Sequence, residues 1–440
     1  MNIPKDTPID YNIVTQKIRE SGLESVGNAS IRELVRLVNE VEKATGDKYI
    51  RMEMGVPGLE PPKEAIEGEI KALKNGAASK YPMIEGVEEL KNEISKFIKN
   101  FTNIDISPRS CLPTVGSMQG SMASFIVSCR RDPGKDTTLF IDPGFPVQKQ
   151  QHKVLGFKYE TFDVYNYRGE KLRDQLESYL KKGNISTILY SNPNNPSWIC
   201  FTEKELEIIG ELANKYDVIV MEDLAYFGMD FRQDISQPGK PPYQVTVANY
   251  TDNYILLISS SKSFSLAGER IGMMAISDKL FERKFPKLKE YFPNEGFGYS
   301  IIYGALYTLS AGTNHSAQYG LLEILKAVNT GQYNFMKDVR EYGERAKIIK
   351  RLLAENGFEL VYDRDEELPL ADGFYFTFSY PGMSGGELLE HLLYYGISAI
   401  TLDITGSERT EGLRACVSQI QRNQLDALEE RLKKFRQDHL

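Results

Sequence analysis

The sequence predicts an α/β protein in which a large domain is built around a mostly parallel sheet and a smaller α+β domain follows it. In the middle of the chain, short apolar runs alternate with amphipathic helical patterns, an arrangement typical of βαβ units. After about residue 300, long helical stretches lead into short strand patterns instead. With 440 residues the chain is too long for one ordinary core, so we expect two domains.

Six apolar runs predict buried strands of the large domain. Helical patterns separate them, for example TEKELEIIGELANKY at 202–216, where Thr202 and Glu205 have the spacing of a capping box. Continuous apolar runs of this length are typical of parallel strands that helices cover on both faces. The runs are TTLFID (137–142), FKYETFDV (157–164), ISTILYS (185–191), DVIVMED (217–223), NYILLISS (253–260) and IGMMAIS (271–277).

The two ends of the chain predict the rest of the architecture. Near the start, Ile31, Leu34, Val38 and Val41 have helical spacing, and Gly46 ends the pattern. Near the end, helices are predicted over 302–329 and 333–356, followed by GFEL, GFYFTFSY, the helix GGELLEHLLYYG, the strand ISAITLD, LRACVS and a charged helix. We therefore divide the chain into an N-terminal segment (1–55) that packs with the small domain, a large domain (56–305) and a small domain (306–440).

Composition excludes several classes of function. The chain has 61 acidic and 53 basic residues and a net charge of −8, which argues against a nucleic-acid binder. It shows neither a secretory signal nor a long apolar run, so we expect a cytoplasmic protein without a membrane partner. The four histidines and four cysteines are scattered without ligand spacing, so we expect no metal site.

Polar clusters follow three of the predicted strands. They are SNPNNP after 185–190, EDLAY after 217–221 and SSSK after 254–258. Ligands of open α/β sheets bind at the carboxyl ends of the strands, so these clusters predict one site. Each cluster alone has a structural explanation, since Asn and Pro form turns and a lone lysine is usually a surface residue.

Taken together, the clusters supply complementary groups. Asp223 ends an apolar strand, where a carboxylate needs a partner. The backbone N–H groups of Gly116, Ser117 and Met118 open a predicted helix, which suits a phosphate. Lys262 adds an amine and Arg270 a guanidinium that lies between two glycines. The alternative for 114–128 is a glycine turn before an ordinary helix.

The segment SSSKSFSLAGERIG (259–272) resembles the motif S-x-S-K-x-x-x-x-x-G-x-R-x-G of the class I/II, fold-type I aminotransferases, which use pyridoxal 5′-phosphate (PLP). The resemblance extends from about Gly55 to Arg414 with motifs in the same order. It implies a seven-stranded sheet. It also implies amino transfer between an L-amino acid and a 2-oxoacid by a ping-pong mechanism.

The resemblance also implies how the cofactor is held. Lys262 would bond covalently to the PLP aldehyde carbon and then move the proton of the substrate Cα. Asp223 would pair with the pyridine nitrogen, and Asn195 and Tyr226 would hydrogen-bond the 3-oxygen of the ring. Phe145 would stack on the ring, although a core aromatic is the alternative. The phosphate would be bound by the N–H groups of Gly116, Ser117 and Met118 together with Ser259, Ser261 and Arg270.

Three further residues match positions of the family that contact substrate or the second subunit. Arg414 would bind the substrate α-carboxylate as a bidentate pair, beside Asn195. The backbone of Gly55 would approach the substrate, with a simple turn glycine as the alternative. Tyr81 would reach the phosphate of the neighbouring subunit, which implies a homodimer with shared sites.

The chain departs from the family pattern in three places. Asn195 is followed by Pro196, Ser197 and Trp198, where the family often reads NPTG. LDITGSER (402–409) replaces the usual loop before Arg414. The tyrosine-rich segment 291–310 offers no arginine for a second carboxylate, so strict aspartate or glutamate specificity is disfavoured, with Arg409 or an arginine of another chain as the alternative clamp.

Other reactions on the same scaffold stay open. A C–S β-lyase or a decarboxylase would share every cofactor contact, because the reaction depends on which bond at Cα is broken. A PLP-dependent sensor without turnover is a further alternative. The sensor is disfavoured because the residues before Gly55 are too few for an added DNA-binding module and linker.

Overall fold

The computed structural model describes residues 3–439, which form fifteen strands and sixteen α-helices. The strands are β1 (Ile50–Arg51), β2 (Cys111–Thr114), β3 (Thr137–Asp142), β4 (Lys158–Asp163), β5 (Ile185–Ser191), β6 (Ile219–Leu224), β7 (Tyr254–Ser259), β8 (Gly272–Ile276), β9 (Glu359–Leu360), β10 (Arg364–Asp365), β11 (Leu368–Pro369), β12 (Tyr375–Ser379), β13 (Ile397–Ser398), β14 (Ile400–Thr401) and β15 (Leu413–Cys416). The helices are α1 (Tyr11–Glu20), α2 (Ile31–Thr45), α3 (Lys63–Lys74), α4 (Glu88–Thr102), α5 (Gly116–Ser128), α6 (Pro146–Leu155), α7 (Lys171–Leu180), α8 (Glu203–Tyr216), α9 (Ser260–Ser263), α10 (Asp278–Glu282), α11 (Phe297–Tyr299), α12 (Tyr307–Ser310), α13 (His315–Asn329), α14 (Phe335–Glu355), α15 (Gly385–Tyr394) and α16 (Leu425–His439). Within residues 3–439, no helix combines the length and the hydropathy that a membrane crossing requires.

The chain divides into two compact units. The larger unit comprises 59–194 and 200–339, and the smaller unit comprises 3–58, 195–199 and 340–439 of the described residues. Helix α13 belongs to the larger unit because it packs along α3 there. The two helices approach so closely that a Cβ at Gly68 would lie 2.9 Å from the backbone oxygen of Tyr319. The division of the chain at residues 55 and 305 stays a prediction.

The larger unit contains a seven-stranded sheet in the order β2-β8-β7-β6-β5-β3-β4. β3 to β7 are mutually parallel where they pair, and only β8 runs antiparallel to its neighbours β2 and β7. The α/β class with a mostly parallel sheet is thus confirmed. β3 and β5 have the predicted bounds, and the other four predicted strands are each shorter or shifted by one or two residues.

The sequence did not predict strand β2. It has only four residues and includes Pro113, which lacks the N–H group that a strand inside a sheet would donate. β2 pairs only with β8, so it lies at the sheet edge, where a proline is tolerated. A short, proline-containing edge strand leaves no periodicity for sequence analysis to detect.

The sheet brings the polar strand ends to one edge. In the register, Ser191 lies beside Asp223 and Asp223 beside Leu257. Because β8 is antiparallel, its first residue, Gly272, lies at the same edge, next to Ser259 and Thr114. This edge is therefore the starting point of the loops that follow β2, β5, β6 and β7. The loop that precedes β8 ends at the same edge.

The helix predicted over 302–329 is interrupted in the structure. A π-helical turn at Ser300–Leu306 continues into α12, and α13 begins only at His315. Between them Ala311 (φ 55°) and Gly312 (φ 120°) leave the helical conformation, and Asn314 caps α13 by accepting from Ser316 N at 3.0 Å. An alanine in the left-handed region is uncommon, so the break could not be anticipated from composition.

The smaller unit contains a four-stranded antiparallel sheet in the order β14-β15-β12-β9. The N-terminal residues pack in this unit, where β1 pairs in parallel with β13. The register places Arg414 opposite Thr377 on one side and Ile400 on the other. Arg414 is thereby held in a central strand of the sheet, which limits its backbone movement.

Candidate active site

Lys262 lies in α9, the single helical turn that follows β7. Hydrogen bonds from the neighbouring serines hold this turn in place: Ser260 Oγ donates to the carbonyl oxygen of Ile271, and Ser263 Oγ donates to that of Phe227 at 2.9 Å. Ser259 Oγ accepts from the backbone N–H of Ser261 at 3.2 Å. The side chain of Lys262 is half-buried. These hydrogen bonds therefore fix the backbone from which the side chain of Lys262 extends. Ser260 and Ser263 are positioning residues that sequence analysis missed.

Asp223, on β6, is buried next to a single side-chain amide. Gln148 Nε2 donates to its Oδ2 at 2.9 Å, whereas Oδ1 is buried and makes no hydrogen bond within residues 3–439. Burial raises the pKa of Asp223 to about 6, although the Gln148 hydrogen bond and the backbone N–H of Ala225 act in the opposite direction. A buried carboxylate oxygen without a donor fits a protonated ring nitrogen.

Sequence analysis also missed Gln148. It lies in the first turn of α6, three residues after Phe145, and only 5% of its surface is exposed. Its partner is 75 positions away along the chain. The only local signal is a polar residue near a helix start, which is common on protein surfaces.

The beginning of α5 forms an anion cradle. No side chain caps its first N–H groups, those of Gly116, Ser117 and Met118. The guanidinium of Arg270 lies against this turn, since a Cβ at Gly116 would be 2.8 Å from Arg270 Nη2. A Cβ at Gly272 would be 3.0 Å from the backbone N of Ser117, so both glycines keep the cradle open.

Arg270 adopts a backbone conformation that costs energy. Its φ is 50°, in the left-handed region that non-glycine residues rarely occupy, and its Nη1 donates to the carbonyl oxygen of Ala267 at 2.9 Å. Backbone strain of this kind persists mainly where function requires it. Its side chain is exposed next to the N–H groups of α5. An exposed guanidinium beside a helix start can bind phosphate oxygens in a bidentate manner.

The remaining residues predicted for the larger unit lie on the loops at the same sheet edge. Tyr226 is buried three residues after Asp223, and Ser259 and Ser261 are buried at the end of β7. Phe145 precedes α6 and is only half-buried, which argues against the alternative of a core aromatic. Their roles in binding the cofactor stay predictions.

Arg414 and Asn195 come together in the smaller unit. Arg414 is 4% exposed; its Nη1 donates to Asn195 Oδ1 at 3.3 Å and its Nη2 to the carbonyl oxygen of Glu53 at 2.5 Å. Its buried Nε has no acceptor within residues 3–439. The carboxylate of Glu53 is bound by Arg51 and Ser398 and not by Arg414. A buried guanidinium without a carboxylate partner fits an anionic ligand.

Gly55 also lies in the smaller unit, against an aromatic residue that sequence analysis did not select. A Cβ at Gly55 would be 2.0 Å from Tyr375 Oη, so a side chain at position 55 would require Tyr375 to move. This close approach gives a packing reason for the glycine that a simple turn does not.

Tyr81 lies at the surface of the larger unit. Its side chain is 95% exposed. The structure describes one chain, so the role of Tyr81 in a neighbouring subunit stays a prediction. Among residues 3–439, no group of three or more His, Cys, Asp or Glu side chains is placed to hold a metal ion.

Comparison with known proteins gives a consistent picture. Residues 47–432 match the family described as aminotransferase class I and II. A probable aspartate aminotransferase of Methanocaldococcus jannaschii is 25% identical over 352 residues, which cover 76% of this chain and 88% of the relative. A (5-formylfuran-3-yl)methyl phosphate transaminase of the same organism is 25% identical over 406 residues, which cover 92% and 96%.

A solved alanine aminotransferase from Pyrococcus furiosus has the same fold, with a TM-score of 0.74 at 22% sequence identity over 95% of this chain and 99% of that chain. The family match covers every residue from Gly55 to Arg414 that the sequence analysis selected. The chain therefore belongs to the class I and II aminotransferases, a PLP-dependent family.

Proposed function

We propose that this aminotransferase moves an amino group between an L-amino acid and a 2-oxoacid by a ping-pong mechanism, with PLP bound at Lys262. The observation that carries the proposal is Asp223, whose buried Oδ1 lacks a donor at the same sheet edge as the Lys262 turn. When bound, PLP supplies a protonated ring that accepts the electrons left on the substrate Cα. Asp223 would keep the ring nitrogen protonated, and the amine of Lys262 would move the Cα proton.

The other groups of the larger unit fit the polar edges of the cofactor. The uncapped N–H groups of α5 and the guanidinium of Arg270 would bind the phosphate. Tyr226 would donate to the 3-oxygen, a role that the sequence also predicts for Asn195 of the smaller unit. Phe145 would cover one face of the ring and exclude water. Ser259 and Ser261 would complete the phosphate site.

Arg414 would bind the α-carboxylate of the substrate. Its fork carries five N–H donors, of which two are engaged by Asn195 and Glu53. The two Methanocaldococcus jannaschii relatives are named for different substrates, aspartate and a furan phosphate, but both are transaminases. This agreement supports amino transfer over β-elimination or decarboxylation.

The surroundings of Arg409 support a substrate whose side chain carries no carboxylate. Arg409 Nη2 pairs with Glu411 Oε1 at 2.7 Å, so its charge is already balanced. A second carboxylate of a substrate would have to displace Glu411 from this guanidinium. We therefore propose that strict aspartate or glutamate specificity is absent, although glutamate remains one donor to test.

A donor screen tests this proposal. Purified protein with PLP is mixed with a panel of L-amino acids and either 2-oxoglutarate or pyruvate, and the new 2-oxoacid and the new amino acid are quantified. Both products are expected in equal amounts. Lys262→Ala is expected to reduce the rate about 10²–10⁴-fold. Lys158→Ala, at an exposed lysine of the same unit, serves as the matched control.

The cofactor bond is tested separately by borohydride reduction and peptide mapping, which should place the label on Lys262. Labelling of a different lysine contradicts the assignment. Pyruvate and ammonia formed without an acceptor would indicate elimination, and released CO₂ would indicate decarboxylation. A cofactor spectrum that no amino acid changes would indicate a sensor.

A further inference from the structure

The guanidinium of Arg414 lies over the ring of Tyr375, with its Cζ 4.7 Å from the ring centroid. Tyr375 is the first residue of β12 and is 2% exposed. The register pairs Thr377 with Arg414 and Tyr375 with Cys416, so Tyr375 and Arg414 are diagonal neighbours on one face of the sheet. Two paired strands therefore set the position of the guanidinium relative to the ring.

An aromatic ring stabilises a guanidinium without occupying its N–H groups. The attraction acts through the face of the ring, whereas a carboxylate would accept from the same donors that a substrate carboxylate needs. Within residues 3–439, the buried Nε of Arg414 still lacks an acceptor. Tyr375 thus offsets part of the desolvation free energy of the buried guanidinium of Arg414. Donor N–H groups of Arg414 stay available to a ligand.

Tyr375 is itself braced by Trp198. The two ring centroids are 6.2 Å apart at an interplanar angle of 69°, an edge-to-face contact. Trp198 is fully buried, and a Cβ at Gly373 would lie 2.1 Å from its Cε2. The indole therefore fills the space beside the start of β12 and prevents the Tyr375 ring from turning towards it.

Trp198 stands where related chains often carry the glycine of NPTG. The structure shows that Trp198 keeps a left-handed φ of 66°, the conformation that a glycine adopts at no steric cost. A tryptophan in this strained conformation needs compensation from its packing. Its contacts with Gly373 and Tyr375 supply that packing.

We propose that Tyr375, braced by Trp198, is a positioning residue that holds the guanidinium of Arg414 for the substrate α-carboxylate. The inference rests on the proposed function of Arg414. Tyr375 acts through Arg414, because its ring lies against the guanidinium and supports its position.

The test compares two donors in the holoenzyme: an L-amino acid that the enzyme accepts, and the amine that lacks only its α-carboxylate, such as L-alanine and ethylamine. The decay of the cofactor absorbance gives kcat/KM for each donor, and the ratio of the two values measures carboxylate recognition. The variants are Tyr375→Leu, Tyr375→Phe and Arg414→Gln. General damage to the protein would lower both rates and leave the ratio unchanged.

Tyr375→Leu is expected to raise KM for the amino acid about 2- to 30-fold and to lower the ratio equally, with kcat nearly unchanged. Tyr375→Phe keeps the ring and should restore the ratio to within about twofold. Arg414→Gln should lower the ratio about 100-fold or more, because it removes the charged donors themselves.

The outcomes distinguish the proposed role of Arg414 from the proposed role of Tyr375. An unchanged ratio in Arg414→Gln would overturn the proposed role of Arg414. A reduced ratio in Arg414→Gln with an unchanged ratio in Tyr375→Leu would overturn only the role of Tyr375. Equal losses in Tyr375→Phe and Tyr375→Leu would also overturn it, because the hydroxyl rather than the ring would then matter.

Trp198→Phe provides a second route if Tyr375→Leu does not fold. It should lower the ratio in the same direction, and an unchanged ratio would contradict the brace. Trp198 is the single tryptophan of the chain, so the tryptophan emission of the protein reports on the surroundings of this residue. In Tyr375→Leu the emission should shift to longer wavelength, whereas an unshifted emission would show that Tyr375 does not shield the indole.

Discussion

Asp223 is buried, and burial raises the pKa of its carboxyl to about 6 against the opposing hydrogen bonds from Gln148 and the backbone of Ala225. Between about pH 4 and pH 6 the folded protein therefore retains a proton that the unfolded chain loses. Without a cationic partner, folding becomes less favourable as the pH rises through this range, by about 3 kcal/mol in all. A protonated pyridine nitrogen beside Oδ1 would remove this cost.

We predict that Asp223→Asn abolishes this pH dependence in protein stripped of PLP. The free energy of unfolding of wild type, measured by urea titration at pH 4 to 7, should fall relative to the variant by about 3 kcal/mol as the pH rises. Other shifted groups, such as Asp142 with a pKa of about 7, are present in both proteins and cancel. A difference that does not vary with pH would contradict the assignment.

At the scale of the element, α8 is held by a capping box that also anchors a neighbouring loop. Glu205 accepts from the backbone N of Thr202 at 3.0 Å, as the sequence predicted. It also accepts from Arg168 Nε at 2.8 Å and from the backbone N of Gly169 at 2.8 Å, and its side chain is fully buried. The comparable residue of α15, Glu387, is exposed in its own capping box.

Glu205→Gln is therefore predicted to destabilise the protein far more than Glu387→Gln. The first change leaves the guanidinium of Arg168 without its carboxylate in a buried site and should cost about 3–5 kcal/mol. The second weakens only an exposed cap and should cost about 1 kcal/mol or less. Urea unfolding of the two variants measures the difference in their free energies of unfolding. Similar midpoints would show that the burial of Glu205 does not increase its contribution to stability.

At the scale of the whole molecule, the larger unit exposes apolar side chains near Tyr81. We name Tyr81, Met83, Tyr299, Tyr303 and Tyr307 the Tyr81 patch; each is between 38% and 95% exposed. Tyr81 and Ser310, the last residue of α12, line one cleft, and the Tyr299 and Tyr303 rings are 4.9 Å apart. Exposed apolar clusters of this kind are typical of interfaces. We propose a second copy of this chain as its occupant.

Subunit mixing tests whether two chains share their sites. Tyr81→Ala and Lys262→Ala proteins are each expected to be weakly active or inactive. After the two are unfolded together and refolded, they should recover about a quarter of wild-type activity, because half of random dimers are mixed and each has one intact site. Sedimentation should give about 100 kDa, twice the 49.9 kDa of one chain. A mass of one chain, or no recovery on mixing, would contradict the shared-site dimer.

Local patterns in the sequence determined the α/β class, the bounds of β3 and β5, and the polar clusters at the strand ends. They succeeded there because buried strands, capping boxes and helix starts are encoded within a few neighbouring residues. Family resemblance added the roles of residues such as Lys262 and Arg414, which local spacing alone left open.

Tertiary structure alone decided which distant side chains meet. Two contacts join side chains of different elements: Gln148 with Asp223, and Arg414 with Tyr375. The periodicity of the sequence predicts neither contact. The edge strand β2 forms only because β8 is there to pair with it. The local sequence determines which secondary structure each segment can form. Which residues come into contact depends on how the strands align with one another, and this alignment exists only in the folded chain.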